Sequence, residues 1–361
     1  MTGAIFDTNS KVLVIAPHPD DESLATGALL QYAHQVGAQI RILFVTNGEN
    51  NPWPQRVLER RWRIHPEDKT RFGLLRKTEA QSAIETLGID CACAQFLGFP
   101  DQGITHLLLT AAPQTIIPAL VQNFEQFGPG HIVYPSAFDL HPDHNGLNVL
   151  VEMALRQSKT HPPSGMTYIV HRRKHGNNTP AAIILNVTPG QIQIKRGAIL
   201  CHTSQLTLRP WSLLARAKDT EEFFAVEKPQ VCCPYHPVRN AQIQDGRLKV
   251  ALALQPHTSA FGKPYLYLIG IFGSGMVSAY KLLCDASPMP WPGISKVEIV
   301  DLASNSVRGQ GLYRGNFKSG LIEIDFEPIS QFQRVFIKLN RPFGFFDEAG
   351  WRELPIGPCK D

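Results

Sequence analysis

Val12-Leu13-Val14-Ile15-Ala16-Pro17-His18-Pro19-Asp20-Asp21-Glu22 is the stretch that decides how this chain folds. An apolar run stops at Pro17, and a histidine, a proline and three acids follow at once. After Ser23, the residues Leu24, Ala28, Leu29 and Ala33 recur at helical spacing. The pattern predicts a buried strand, a tight polar turn and a helix leading away. Ionisable groups crowded at the carboxyl end of a buried strand are costly unless they hold something, and a divalent metal ion is the simplest thing they could hold. The same acids would also suit a plain helix start, where they favour the dipole.

Working outward, Lys11 to about Val45 reads as a first βαβ unit, its second strand being Ile40 to Val45. That strand runs into the polar loop Thr46-Asn47-Gly48-Glu49-Asn50. Trp53 to Phe72 is basic, with Arg56, Arg60, Arg61, Arg63, His65, Lys69 and Arg71, and is expected to be an irregular insertion over the sheet's carboxyl edge with room for a short helix. Thr78 to Leu87 is a helix stopped by Gly88. A strand at Gln95 to Leu97 enters Gly98-Phe99-Pro100-Asp101-Gln102-Gly103, and Gln114 to Phe127 is the next amphipathic helix. His131 to Tyr134 is a strand, Pro135 to Asn145 the loop after it, and Leu147 to Leu155 a helix. Thr167 to His171 and Ala182 to Val187 read as two more strands. Strands alternating with helices through short loops imply an α/β fold, a Rossmann-like and mostly parallel sheet flanked by helices on both faces. Ligands of such sheets bind at the carboxyl ends of the strands, and all four polar loops lie there.

From about Lys228 the texture changes. Leu248 to Leu252, Tyr265 to Phe272, Val297 to Val300, Leu321 to Phe326 and Arg334 to Leu339 are β-type runs separated by Pro and Gly. They predict a C-terminal all-β, sandwich-like domain, and a division of the chain into 1–227 and 228–361.

The composition is that of an ordinary soluble protein: 361 residues, 43% hydrophobic, 18% charged and a net charge of +4. That charge calls for neither nucleic acid nor an anionic membrane. The longest apolar run of the C-terminal half, Tyr265 to Phe272, is too short to cross a bilayer, so no stable membrane insertion is expected. Met1 to Ser10 lacks the basic and apolar regions of a signal peptide. Cys91, Cys93, Cys201, Cys232, Cys233, Cys284 and Cys359 are scattered and show no Cys-x-x-Cys spacing, which points to reduced thiols in a cytoplasmic protein.

The second polar motif is Phe138-Asp139-Leu140-His141-Pro142-Asp143-His144, in a loop that should face the first across adjacent strand ends. A catalytic zinc site takes three protein ligands of imidazole and carboxylate type and leaves one position open. His18 with one acid of the first turn supplies two ligands, and one histidine of the second loop the third. The remaining acid and histidine are then free to move protons.

Ala16-Pro17-His18-Pro19-Asp20-Asp21-Glu22 taken with His141-Pro142-Asp143-His144 resembles the LmbE/PIG-L family of zinc-dependent amide deacetylases. The resemblance spans roughly Lys11 to Val226, with weaker support from Thr46 to Glu49, Arg76 to Glu79, Phe96 to Asp101 and Lys195 to Gln205. This chain departs from the pattern in carrying Pro17 between Ala16 and His18, and Asp139 where some members have a tyrosine. The resemblance implies that His18, Asp21 and His144 hold Zn2+, or another divalent ion such as Fe2+. It implies Asp20 as general base and His141 as the group that steadies the oxyanion or protonates the leaving amine. Asp143 is expected to hold His141 charged and oriented. Arg76, Asp139, Glu49 and Asp101 are expected at the substrate, and Glu22 is expected to support the ligands from behind. The implied substrate is a small N-acylated conjugate of an N-acetylglucosamine-type sugar. The β-region would then serve in carbohydrate binding or in homo-oligomer formation; its aromatics Trp291, Tyr313 and Phe317 suit sugar stacking, though core packing is the expected job of most of them.

Two rivals are weaker. A nucleotide-binding protein would want a glycine-rich first turn, and here that turn carries acids that repel a pyrophosphate. A catalytically inactive carbohydrate-binding or scaffold protein would not need every metal ligand and base to be present.

Overall fold

The computed structural model describes residues 5–172, 181–226, 228, 236–244, 246–254, 265–284, 293–316, 318–340 and 344–356. The apolar run at Val12 becomes β1 (Lys11–Ala16), whose last five residues are fully buried. A strand covered on both faces needs apolar residues on both sides, hence a continuous run rather than an alternation. α1 (Asp21–Gln35) leads from it to β2 (Gln39–Thr46). α2 (Pro52–Glu59) and α3 (Pro66–Thr86) precede β3 (Ala94–Phe99). α4 (Ile104–Thr110) and α5 (Ile116–Phe127) lead to β4 (His131–Pro135), then α6 (Pro142–Gln157) to β5 (Ser164–Tyr168). β6 (Ile183–Asn186), α7 (Pro189–Cys201), α8 (Thr203–Leu206), α9 (Pro210–Leu214) and β7 (Thr220–Ala225) complete this part.

The seven strands stand in the order β3-β2-β1-β4-β5-β7-β6. The first five pair in parallel, and β7 runs antiparallel to both β5 and β6. Strand order reverses between β1 and β4. A crevice opens where the loops on either side of such a reversal diverge, and both histidine motifs leave the sheet there.

The stretch expected to be an irregular basic insertion is largely helical. α3 starts at Pro66, with the His65 N–H donating to Asp68 Oδ2 at 3.0 Å. Proline at the first helical position and an acid in the first turn set that start. α6 begins at Pro142, so Asp143 and His144 sit on a helix's first turn rather than in a loop.

β8 (Val238–Gln244), β9 (Arg247–Ala253), β10 (Tyr265–Phe272), β11 (Val277–Cys284), β12 (Gly293–Asp301), β13 (Val307–Gly315), β14 (Ser319–Asp325), β15 (Phe332–Asn340) and β16 (Arg352–Leu354) make one antiparallel sheet. Its order is β16-β15-β10-β11-β12-β13-β14-β9-β8. A bridge between Ile243 and Ile356, and the Arg352 Nη1 bond to Val238 O, draw its two edges together. The sheet thus curls over a core of its own that includes Leu248, Leu268, Val297 and Ile337. Tyr313 is buried in that core, its hydroxyl donating to Asn316 O at 2.6 Å, so it is not a sugar platform. Trp291 and Phe317 lie outside the described residues.

The two parts also share a core. Ile269, Ile271, Ala279, Phe336 and Trp351 of the β-rich part pack in one cluster with Ile104 of α4 and Leu147 of α6. The β-rich part is therefore fixed against the helix that carries the second histidine motif.

Candidate active site

β1 is pinned at its end. Pro17 O accepts from the Thr46 N–H at 3.0 Å and from Thr46 Oγ1 at 2.9 Å. Three residues after Pro17, Asp20 has φ 139°, in the region that favours glycine. Such a conformation costs about 1–3 kcal/mol and persists only where neighbours enforce it. Here they do. The Asp20 N–H donates to Glu22 Oε2 at 2.9 Å, and Glu22 Oε1 is held by Ser23 Oγ at 2.6 Å and by His202 Nε2 at 2.9 Å. Arg76 Nη2 donates to Pro19 O at 2.5 Å and Nη1 to Gly48 O at 2.9 Å. Gly48 has to be glycine: its φ is 66°, and a Cβ would lie 2.1 Å from Arg76 Nη1.

The second motif is held as tightly. Asp139 is fully buried and accepts four hydrogen bonds. Oδ1 takes the His141 N–H at 2.9 Å, and Oδ2 takes the N–H groups of Val170 at 2.7 Å and His171 at 3.1 Å together with His144 Nδ1 at 3.1 Å. His141 caps α6, with its Nδ1 accepting the Asp143 N–H at 3.2 Å. The ring proton of a neutral His141 is thereby left on Nε2.

Between the motifs, one carboxylate oxygen meets two imidazoles. Asp21 Oδ2 lies 3.3 Å from His18 Nδ1 and 3.3 Å from His144 Nε2. The far nitrogens of both rings have carboxylate partners, Asp101 Oδ1 at 3.1 Å from His18 Nε2 and Asp139 at His144 Nδ1. His144 Nε2 is buried without a hydrogen-bond partner among the described residues. A carboxylate behind each imidazole is the usual support of a metal ligand, and it turns the opposite nitrogen's lone pair inward. Separations near 3.3 Å match the ligand-to-ligand edge of roughly 3.3–3.4 Å that tetrahedral zinc with bonds of about 2.0–2.1 Å would impose. The donor set therefore fits a divalent ion held by His18, Asp21 and His144. His141 shares the same space: His18, His141 and His144 each bring a ligand-type atom within 4.8 Å of the others.

The charges agree. Burial opposes a proton on His144, yet the carboxylates of Asp21 and Asp139 hold its pKa up at about 10. A site that binds protons so firmly favours positive charge of any kind. Burial, then the charges of His18 and His144, push His141 well below the usual histidine range. Burial lifts Asp20 to about 6 against the pull of Arg76, which lies 3.3 Å from its Oδ2. A carboxyl raised this far gains and loses its proton closer to neutral pH than a free one.

Several expected site residues have other partners. Asp143 does not hold His141 in a charged form. Its carboxylate accepts the Gln102 N–H at 2.7 Å and the Ile104 N–H at 3.1 Å, and lies 3.3 Å from His18 Nε2. The reason is the cap: at the start of α6, the Asp143 backbone, not its side chain, meets His141. Arg76 is buried beneath Asp20 instead of facing a substrate. Asp139 and Asp101 are likewise buried behind the imidazoles, and Glu49 Oε1 accepts the Asp101 N–H at 2.9 Å. Glu22 gives its expected support from behind through the Asp20 backbone. His202 and Ser204 are committed inside, His202 to Glu22 and Ser204 to Glu79 Oε2 at 2.6 Å.

Sequence reasoning gave no role to three contributors. Glu79, noted only as part of Arg76 to Glu79, ties α3 to α8 through Thr203 and Ser204. Phe345 and Phe346 arrive from the β-rich part, with ring centroids 4.8 and 5.9 Å from that of His141. Nothing local in the sequence announces them.

Residues 13–155 match the family described as PIG-L, GlcNAc-PI de-N-acetylase. Over 92 residues the chain is 37% identical to a 1D-myo-inositol 2-acetamido-2-deoxy-alpha-D-glucopyranoside deacetylase of Corynebacterium urealyticum, covering 26% of each chain. A protein of the same description from Mycobacterium tuberculosis is 28% identical over 149 residues, covering 37% of this chain and 47% of its own. The match thus spans less than half the length of either curated relative. Among solved structures, a conserved protein from Thermus thermophilus aligns with 63% of this chain and 98% of its own, at 24% identity and a TM-score of 0.45.

Proposed function

We propose, on the match of residues 13–155 to the PIG-L family, that the chain is a metal-dependent hydrolase that removes an acetyl group from the amide nitrogen of an N-acetylglucosamine-type sugar conjugate. One observation carries this reading. His18 Nδ1 and His144 Nε2 face the same Asp21 oxygen at 3.3 Å, each ring backed by its own carboxylate. An inactive scaffold has no use for two imidazoles so oriented.

His18, Asp21 and His144 would hold zinc, or another divalent ion such as iron(II), which supplies Lewis acidity toward water and a carbonyl oxygen. Asp20, with its side chain partly open and its pKa about 6, takes the proton of the attacking water. Arg76 keeps that carboxylate aimed. The neutral His141 presents Nε2–H, its Nδ1 being engaged by the helix cap, and donates to the oxygen on which negative charge develops. As the carbon–nitrogen bond breaks, the proton on Asp20 passes to the leaving amine, so acetate and a free amine depart and the base is regenerated. Asp101, Asp139 and Asp143 orient the imidazoles and take no part in proton transfer. No helix among the described residues is long and apolar enough to cross a membrane. Cys91, Cys93 and Cys201 are free thiols, which supports a reducing, cytoplasmic location.

The test is acetate release from a panel of N-acetylated glucosamine conjugates, run with added zinc or iron(II) and with chelator. Chelator-sensitive acetate release from at least one sugar conjugate is expected. A protein that binds no divalent ion after reconstitution, or releases acetate equally well in chelator, would overturn the proposal.

A further inference from the structure

The β-rich part reaches into the site just described. Residues 344–351, which follow β15 in the sequence, dock on the loop before α6. The Asp347 N–H donates to Leu140 O at 2.9 Å, and Asp347 Oδ2 accepts from Asn145 Nδ2 at 2.8 Å and from Lys338 Nζ at 2.7 Å. Lys338 is 1% exposed and also reaches Asn145 Oδ1 at 3.2 Å. Asn145 in turn donates to the carbonyls of Asp139 and His141. Gly350 packs so closely that a Cβ would lie 1.6 Å from Ala137 O. The segment is therefore built onto the loop that carries His141.

Its outcome is a pair of aromatic rings. Phe346 packs toward His171 at 5.1 Å between centroids, and Phe345 stands edge-on to His141 at 4.8 Å and 74°. The two rings support each other at 5.2 Å. Yet Phe345 is 45% exposed, while its neighbours Asp347 and Glu348 are buried. A ring placed only to fill space would be covered. This one follows a buried network in the chain and leaves nearly half its surface open next to the His141 ring.

We propose that Phe345 is a substrate-positioning residue, an aromatic surface on which the C–H face of the pyranose carrying the scissile amide stacks. The inference rests on the deacetylase reading for its substrate. A phenyl face carries partial negative charge, and the axial C–H groups of a pyranose complement it. The β-rich part is then a component of the active site.

The experiment compares wild-type protein, Phe345→Ala and Phe345→Trp with methyl N-acetyl-β-glucosaminide as probe. Binding is read by saturation-transfer NMR and turnover by acetate release, on zinc-loaded full-length protein. In Phe345→Ala, affinity should weaken and KM rise by about tenfold, the loss falling on KM rather than kcat, and Phe345→Trp should restore both. Unchanged affinity in Phe345→Ala overturns the proposal, as does a loss that falls on kcat alone or that tryptophan fails to repair. Wild-type protein that binds the sugar in a Phe345-dependent manner but releases no acetate would overturn the deacetylase reading and leave the platform standing. Wild-type protein that neither binds nor turns over the sugar overturns both.

Discussion

Asp139 holds His144 from behind, its Oδ2 lying 3.1 Å from Nδ1 while three backbone N–H groups fix the same carboxylate. The second imidazole is held in the same way, with Asp101 Oδ1 lying 3.1 Å from His18 Nε2. Asp101 has fewer structural duties than Asp139, so Asp101→Asn is the cleaner test. It should weaken metal affinity by about 10–100-fold with little change in thermal midpoint of the metal-free protein. Competition against a chromogenic chelator measures it. Unaltered affinity would show that Asp101 is not what holds His18, whose Nε2 also lies 3.3 Å from Asp143 Oδ2.

Asp20 combines a chemical role with a strained backbone, and the two separate by mutation. Asp20→Ala should lower kcat by about 10²–10⁴-fold while bound metal stays stoichiometric. Asp20→Gly should lose activity to the same degree yet unfold at higher denaturant than Asp20→Ala, by about 1 kcal/mol or more, because glycine accepts φ 139° without strain. Metal analysis, acetate release and urea titration together decide the matter. A glycine variant no more stable than the alanine one would show that the turn is not strained.

The first half of the site was legible because its information is local. An apolar run ending in Pro17-His18 names both a buried strand and the residues at its end, and the alternation of strands and helices names the edge where a ligand sits. What was hidden is what tertiary contact decides. The start of α3 at Pro66 lies within a basic stretch whose charges masked a helix held by its cap. Pro142 looked like a loop residue and is the first residue of α6, so Asp143 turned its side chain away from His141. Arg76 and Asp139 read as substrate contacts from their positions in the family resemblance, but only burial reveals that they serve Asp20 and His144. Phe345 lies 204 positions beyond His141 in the chain (345 − 141), and no pattern in either segment predicts that they meet.

The Lys338–Asp347 pair should matter for stability far more than a surface pair. Both groups are buried, and removing one leaves the other's charge without its opposite charge, Asn145 being the hydrogen-bond partner they share. Lys338→Met should cost about 3–5 kcal/mol in denaturant unfolding. The double variant Lys338→Met with Asp347→Leu should recover part of that loss, since no lone charge remains buried. Additive losses in the double variant would contradict the coupling that the 2.7 Å contact implies.

His236 gives the β-rich part a pH dependence that can be measured apart from the metal site. Its ring is buried, Nε2 donating to Gly350 O at 3.0 Å and Nδ1 accepting the Val238 N–H at 3.1 Å, an arrangement that only the neutral tautomer satisfies. Burial is the main cause that pushes its pKa from 6.5 to about 4. Between those values the unfolded chain binds a proton that the folded protein refuses, so stability rises with pH across that window. The contribution is complete above pH 6.5 and is lost as pH falls toward 4, reaching about 3 kcal/mol. In His236→Gln the side chain no longer titrates. The stability difference between wild-type and variant, read by urea unfolding of metal-loaded protein from pH 7 down to pH 4.5, should therefore shrink as pH falls. A difference that stays constant across that range would show that His236 is not held neutral by its two backbone partners.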